Sequence, residues 1–149
     1  MAVSDQQVAV LRAYLAQDPD EAERLNAQLG ESGGWDGYGE FVWAAFVLAV
    51  RRRFAPEWTV PQVVRYVAAV RARQGRDEDD FDPRTGEILM RRALDDDVPA
   101  DLGELARGRA QVFLLGELIA DEQLDDVELD RFLAKARALA DNWLSVTDR

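Results

Sequence analysis

The feature that most constrains the fold is the apolar run FVWAAFVLAV at residues 41–50, which three arginines and Phe54 close. The run is apolar on every side, and its alanines, with no Gly or Pro between Glu40 and Ala55, favour a helix over a strand. A helix that is hydrophobic all round belongs in the middle of a bundle. Because a membrane span needs about 20 apolar residues, we predict a buried core helix over about residues 40–54.

Capping patterns predict where the other helices begin. A capping residue stands three positions before glutamine or glutamate at Ser4/Gln7, Thr59/Gln62, Asp101/Glu104 and Asp125/Glu128. A cap directly before proline occurs at Asp18-Pro19 and Asp82-Pro83. With apolar spacing, these patterns predict helices over about residues 5–17, 19–30, 60–74 and 83–94, and two more that follow Glu104 and Asp125. We therefore predict an all-α fold, a single compact bundle of six or seven helices in one domain spanning residues 1–149.

The composition limits the possible chemistry. The chain has no cysteine and no histidine, which excludes disulfides, thiolate nucleophiles, histidine acid–base catalysis and the usual zinc sites. No glycine-rich phosphate loop or nucleotide fingerprint is present, so no cofactor and no catalytic residue is predicted. The first seven residues lack the basic and apolar segments of a secretory signal, so a cytoplasmic location without membrane attachment is expected. Abundant arginine, alanine and valine favour a GC-rich bacterial source.

The net charge of −11 is unevenly distributed. Residues 51–76 contain seven arginines and one glutamate, whereas acids exceed bases on both sides of this segment. The whole protein should therefore repel nucleic acid and acidic membrane surfaces, while one short segment has the opposite charge.

The basic segment has two interpretations. On a helix from about residue 60, four valines (Val60, Val63, Val64 and Val67) lie on one side and the arginines on the other. The patch, made of Arg51, Arg52, Arg53, Arg65, Arg73 and Arg76, could dock an anionic partner, because arginine forks suit planar anions. Alternatively, the protein's own carboxylates neutralise it, above all those of the connection at residues 77–82. The second interpretation is favoured because acids far outnumber bases.

Two further groups of residues are candidate sites. The acidic connection offers Asp77, Asp79, Asp80 and Asp82 as ligands for Mg²⁺ or Ca²⁺, although a solvated linker with helix caps explains the same residues more simply. In the glycine-rich loop at residues 30–39, Trp35 and Tyr38 are predicted to fold back as an aromatic lid on the core. If both rings were largely exposed, they would instead form a binding surface for a partner.

These observations favour a non-enzymatic protein that acts through protein–protein contact, as an adaptor, regulator or inhibitor. The alternatives are an all-α hydrolase dependent on Mg²⁺ or Mn²⁺, for which Glu117 near Asp121 is the interior candidate, and anion or nucleic-acid binding through residues 51–76. Nucleic acid conflicts with the total charge. The sequence identifies neither the partner nor the oligomeric state.

Overall fold

Seven α-helices make up the part of the chain that the computed structural model describes, residues 1–73 and 82–147. They are α1 (Asp5–Leu15), α2 (Pro19–Ser32), α3 (Tyr38–Phe54), α4 (Val60–Arg73), α5 (Pro83–Ala93), α6 (Glu104–Glu122) and α7 (Asp126–Thr147). These residues contain no strand, so the predicted all-α fold is confirmed. Within the same ranges, none of the helices has the length and apolar character needed to cross a membrane.

The helices form two units. One contains Met1–Ala45 and Glu122–Arg149, and the other contains Phe46–Asp121. The first change of unit falls inside α3 and the second near the end of α6. The single domain predicted over residues 1–149 stays a prediction.

Helix α3 is the buried helix that the apolar run predicts. Its buried side chains are Phe41, Val42, Ala44, Ala45, Phe46, Val47, Ala49 and Val50. The prediction that Trp43 is almost fully buried is wrong, because its side chain is only half-buried. An indole is large enough that part of the ring commonly reaches the surface even when the residue stands on a core helix.

In the first unit, the N-terminal segment is fixed by polar contacts. The predicted capping box of α1 is present, with the Gln7 backbone N–H donating to Ser4 Oγ and the Ser4 N–H donating to Gln7 Oε1. The Gln7 side-chain amide is buried and donates to the carbonyls of Gly34 and Asp36 at 2.8 and 2.7 Å. One glutamine therefore both starts α1 and holds the glycine-rich loop.

Helix α2 ends two residues later than its sequence predicts. The expected stop at Gly30 is wrong, and the helix continues to Ser32, with Gly33 as the C-cap at φ 68°. A helix of L-residues is commonly closed by one residue in the left-handed region, and glycine enters that region without a Cβ penalty. Gly30 lies inside α2 and Gly33 takes the closing conformation.

In the second unit, α4 packs against α5, whose buried residues include Ile88, Leu89 and Met90. The buried residues of α6 all lie from Ala110 to Ile119. The apolar spacing after Glu104 predicts that Leu105 is buried, which is wrong, because 71% of its surface is exposed. The reason is that residues 104–109 are all exposed, so the first turns of α6 extend beyond the packed part of the helix.

Candidate docking surface

Helix α4 exposes two of the valines that its spacing assigns to the core. Val63 and Val67 are fully buried, but Val60 and Val64 are each 39% exposed. The buried stripe is completed instead by two residues further along, Tyr66 and Val70. The four valines that the spacing places on one side of the helix are therefore divided, with two of them buried and two exposed. The stripe is rotated towards Tyr66 because its ring is apolar and can share the buried face.

The outward face of α4 is mostly small and apolar. Its exposed side chains are Val60, Pro61, Gln62, Val64, Arg65, Ala68, Ala69, Ala72 and Arg73. Arg65 and Arg73 are the charged members of this set, and the face holds no lysine or acid. Arginine is enriched at protein–protein interfaces and lysine and glutamate are depleted there, so this face shares those features of an interface, although its three alanines do not.

Two depressions border this face. The first, called here the arginine depression, encloses about 430 Å³ and is lined by Arg53, Phe54, Glu57, Gln62, Arg65, Tyr66 and Ala69. The second encloses about 330 Å³ and is lined by Ala68, Arg71, Ala72, Pro83 and Glu87. Because exposed residues of α4 line both, the helix forms a low ridge with a concave region on each side.

The protein's own carboxylates neutralise part of the predicted basic patch. Arg51 pairs with Asp95 at 3.0 Å and also donates from Nε to the Ala93 carbonyl at 3.0 Å. Arg73 pairs with Asp121 at 2.8 Å and with Glu117 at 3.6 Å. The carboxylates that pair with these two arginines therefore belong to residues 95, 117 and 121.

The predicted neutralisation by the acidic connection cannot be placed on the described chain, because Asp77, Glu78, Asp79, Asp80 and the patch residue Arg76 lie outside the described residues. Asp82 is described and has a structural role. It is the N-cap of α5 and accepts from the Arg84 N–H and the Thr85 hydroxyl, each at 3.2 Å. This is the helix-cap role that the sequence favours for it over metal binding.

Arg53 and Arg65 differ from Arg51 and Arg73. Both are exposed and line the arginine depression, and neither forms an ion pair with any residue in the described ranges. Arg52, the patch residue between Arg51 and Arg53, is also exposed. Of the predicted patch, the structure therefore places Arg53 and Arg65 together at one depression, and Arg51 and Arg73 on internal carboxylates.

Tyr66 forms the base of the arginine depression. Its ring meets Phe54 edge-on, with centroids 5.8 Å apart, and its hydroxyl donates to Asp121 Oδ2 at 3.1 Å. The Arg53 guanidinium carbon lies 5.0 Å from the centroid of the same ring, within the range of a cation–π contact. The ring is thereby fixed by contacts with three residues.

The contacts of Tyr66 and Asp121 determine the protonation state of each side chain. Burial raises the pKa of the Tyr66 hydroxyl well above its ordinary value, and the neighbouring Asp121 carboxylate raises it further. The hydrogen bond from Arg73 lowers the pKa of Asp121, and the bond from Tyr66 acts in the same direction against a partial burial penalty. At neutral pH the ring is therefore a neutral phenol held by an ionised carboxylate.

Glu117 and Asp121, the interior acids that the sequence offers for a metal site, have other partners. Asp121 contacts Arg73 and Tyr66, and Glu117 pairs with Arg73. Within residues 1–73 and 82–147, no three acidic side chains stand close enough to hold a metal ion. The two carboxylates of α6 therefore bind residues of α4: both pair with Arg73, and Asp121 also accepts from Tyr66 at the base of the arginine depression.

The two aromatic residues of the glycine-rich loop lie in contact. The Trp35 and Tyr38 rings meet edge-on at 5.1 Å, and Tyr38 meets Phe41 at 6.5 Å. Tyr38 is half-buried, and burial raises the pKa of its hydroxyl to about 12, whereas 37% of Trp35 is exposed. Their assignment as a lid or as a surface stays a prediction.

Sequence reasoning missed Phe54 and Tyr66 as site residues. The available signal is the position of each aromatic ring beside a candidate arginine, Phe54 after Arg53 and Tyr66 after Arg65. Comparison of the chain with protein-family models, curated proteins and solved structures finds no match. The function has to be inferred from the site alone.

Proposed function

We propose that the protein is a non-enzymatic binding module that docks an acidic segment of a partner protein on α4. The docking surface consists of the outward face of α4 together with the arginine depression. The observation that carries this proposal is that Arg53 and Arg65 are exposed at one depression without an ion pair in the described ranges, although the chain has eleven more negative than positive charges.

The outward face of α4 supplies the apolar part of such a contact. Val60 and Val64 expose apolar surface beside Ala68 and Ala72, and burial of such surface contributes about 25 cal/mol per Å² removed from water. The alanines keep the ridge low, so a partner segment can approach the backbone of α4 closely. Arg65 lies within this apolar surface and attracts a partner that carries carboxylates.

Charge favours a short acidic segment over a nucleic acid. A polyanion extends well beyond the Debye length of about 8–10 Å, so it would also meet the surplus carboxylates of the rest of the chain. A peptide with one or two acids feels mainly the local arginines. The metal-dependent alternative loses support because Glu117 and Asp121, its interior candidates, pair with Arg73.

A site-specific photo-crosslink tests the docking surface directly. A photoreactive phenylalanine analogue replaces Ala68 on α4 or, as the matched control, Ala134, an exposed alanine on α7. Illumination in the producing cells is expected to give a discrete protein adduct from position 68 and none from position 134. An equal adduct pattern at both positions, or none at position 68, would contradict the proposal.

A charge reversal in the same background tests the role of arginine. Arg65→Glu is expected to remove the adduct at position 68, because the acidic partner is then repelled. Arg131→Glu, which reverses an exposed charge on α7, is the control and should leave the adduct in place. Survival of the adduct in the Arg65→Glu protein would show that the partner is not recognised through its acids.

A further inference from the structure

We infer that the arginine depression is a carboxylate pocket, which binds one carboxylate that stands next to an apolar or aromatic group. The inference rests on the proposed docking function for the source of the ligand, an acidic residue of the partner protein. The pocket itself is argued from Arg53, Arg65, Gln62, Glu57 and the two aromatic rings that line it. Its volume lies in the range of small-ligand sites.

The first step is that Arg53 is held in place before any ligand arrives. Its guanidinium lies over the Tyr66 ring, and that ring is fixed by Phe54 and by the hydrogen bond to Asp121. A guanidinium that lies over an aromatic ring still has N–H groups that can donate two parallel bonds to a carboxylate. Binding therefore costs little ordering of this side chain.

The second step is a further set of donors on α4. Arg65 contributes a second guanidinium to the same depression. The Gln62 side-chain oxygen is already used, because it accepts from the Thr59 N–H at 2.9 Å in the cap of α4. Its NH₂ group has no acceptor in the described ranges and can donate to a ligand.

The third step concerns the number of charges on the ligand. Glu57 also lines the depression, and its charge is opposite in sign to that of the arginines. Because it repels anions, a second negative charge on the ligand is disfavoured. Its carboxylate can accept from an N–H next to the bound group, such as a peptide amide. A singly charged carboxylate within a peptide fits this arrangement better than a doubly charged phosphate.

The fourth step concerns the group beside the carboxylate. Phe54 is half-exposed and Tyr66 presents its ring at the base, so the depression joins an aromatic wall to its donors. An apolar or aromatic group attached to the carboxylate can cover these rings and add contact area. We therefore expect the carboxylate and the apolar group to bind better together than either does alone.

The test uses the full chain and four small probes. The ¹⁵N signals of the Arg53 and Arg65 side chains and of the Gln62 amide are followed during titration with 3-phenylpropionate, acetate, 3-phenylpropanol and phenyl phosphate. Saturable shifts are expected with 3-phenylpropionate. Acetate, which lacks the ring, and the uncharged alcohol are each expected to bind at least about tenfold more weakly, since each loses one of the two kinds of contact. Phenyl phosphate should bind no more tightly than 3-phenylpropionate.

Variants decide whether the pocket is the binding site. Arg53→Gln is expected to weaken the binding of 3-phenylpropionate at least about tenfold, as measured from the side-chain signals of Arg65 and Gln62. Arg53→Lys should restore only part of the lost affinity, because lysine lacks the planar guanidinium fork. Arg131→Gln is the control and should change nothing. Both positions, 53 and 131, are exposed, so the three variants should fold, which circular dichroism checks.

Three results would overturn the inference: shifts that do not saturate, equal binding by the Arg53→Gln protein, or tighter binding of phenyl phosphate. Failure here is distinguishable from failure of the docking function. If the crosslink at position 68 depends on Arg65 but no probe binds, docking stands and the carboxylate pocket is wrong. If 3-phenylpropionate binds but no crosslink forms, the pocket stands and its ligand is not a protein segment.

Discussion

Tyr66 connects the core of its unit to the surface. Its side chain is buried, yet its ring contacts the exposed Arg53 guanidinium and its hydroxyl donates to Asp121. Hydrophobic spacing alone does not identify such a residue, because Val63, Tyr66, Val67 and Val70 fit the helical period as well as the four valines at 60, 63, 64 and 67 do. The pairing of Arg73 with residues 117 and 121 was also out of reach, since it depends on helices distant in sequence.

At the residue scale, we predict that loss of a large apolar side chain lowers the free energy of unfolding much more at Phe46 than at Leu105. Phe46 is fully buried in α3, so Phe46→Ala is expected to lower the free energy of unfolding by about 3–5 kcal/mol through lost burial and a cavity. Leu105 is mostly exposed, so Leu105→Ala should change it by less than about 0.5 kcal/mol. Urea unfolding followed by tryptophan fluorescence measures both. Similar losses for the two variants would contradict the observed burial.

The Asp121–Arg73 pair predicts a pH dependence of stability. The folded-state pKa of Asp121 is depressed, so its charge stabilises the fold above the ordinary carboxyl pKa of about 3.9, and this contribution is lost as pH falls through the depressed value. Asp121→Asn should therefore be less stable than the wild type at pH 7, by about 1 kcal/mol or less, and the difference should shrink below about pH 4.

Thermal melts between pH 7 and pH 2.5 measure that difference. The control is Arg73→Gln, in which the same aspartate substitution should have a much smaller effect because the hydrogen bond from Arg73 is gone. A difference that stays constant with pH would show that the charge of Asp121 contributes nothing.

At the scale of elements, short-range signals located the helix starts better than the helix ends. The boxes at Ser4 and Asp125 and the cap at Asp82 are all formed, because each depends on residues within four positions. The end of α2 depends on which glycine adopts a positive φ, and three nearby glycines satisfy the same sequence pattern. Which face of α4 is buried depends on packing against other helices. Apolar spacing alone gives the direction of that face around the helix axis only approximately.

Two glycines predict opposite effects of the same substitution. A Cβ meets nothing within 4 Å at Gly33 or at Gly39, but Gly33 has φ 68° while Gly39 lies in the first turn of α3. Gly33→Ala should lower the unfolding free energy by about 1 kcal/mol, and Gly39→Ala should raise it by about 0.4–1 kcal/mol. Chemical denaturation decides the sign. A loss of stability in both proteins would mean that conformational freedom is not what distinguishes the two sites.

At the scale of the whole molecule, charge is the feature that sequence alone described best. The chain has a net charge of −11, while residues 51–76 hold seven arginines and one acid. What the sequence could not show is the division of that segment, in which Arg51 and Arg73 are paired and Arg53 and Arg65 face a depression. That division is set by which carboxylates the fold brings near each arginine.

The surplus of negative charge predicts that salt stabilises the fold. Repulsion among the unpaired carboxylates is screened as ionic strength rises, so the melting temperature at pH 7 should increase between about 10 and 300 mM NaCl. Near pH 4, where many carboxyls are protonated, the same change in salt should have a much smaller effect. A melting temperature that falls with salt at pH 7 would show that screened ion pairs outweigh screened repulsion.

The cations of the docking surface are all arginine, and this determines how the surface can be regulated. A guanidinium keeps its proton at every pH that a cell reaches, and the chain has no histidine to add a switch in that range. Lysine acetylation cannot act there either, because the chain's one lysine, Lys135, stands on α7. Acidification and acylation therefore leave the positive charges of this surface unchanged. Under the proposed function, we therefore expect control of docking to act through the partner, by masking or protonating its acids, or through competition for the same face.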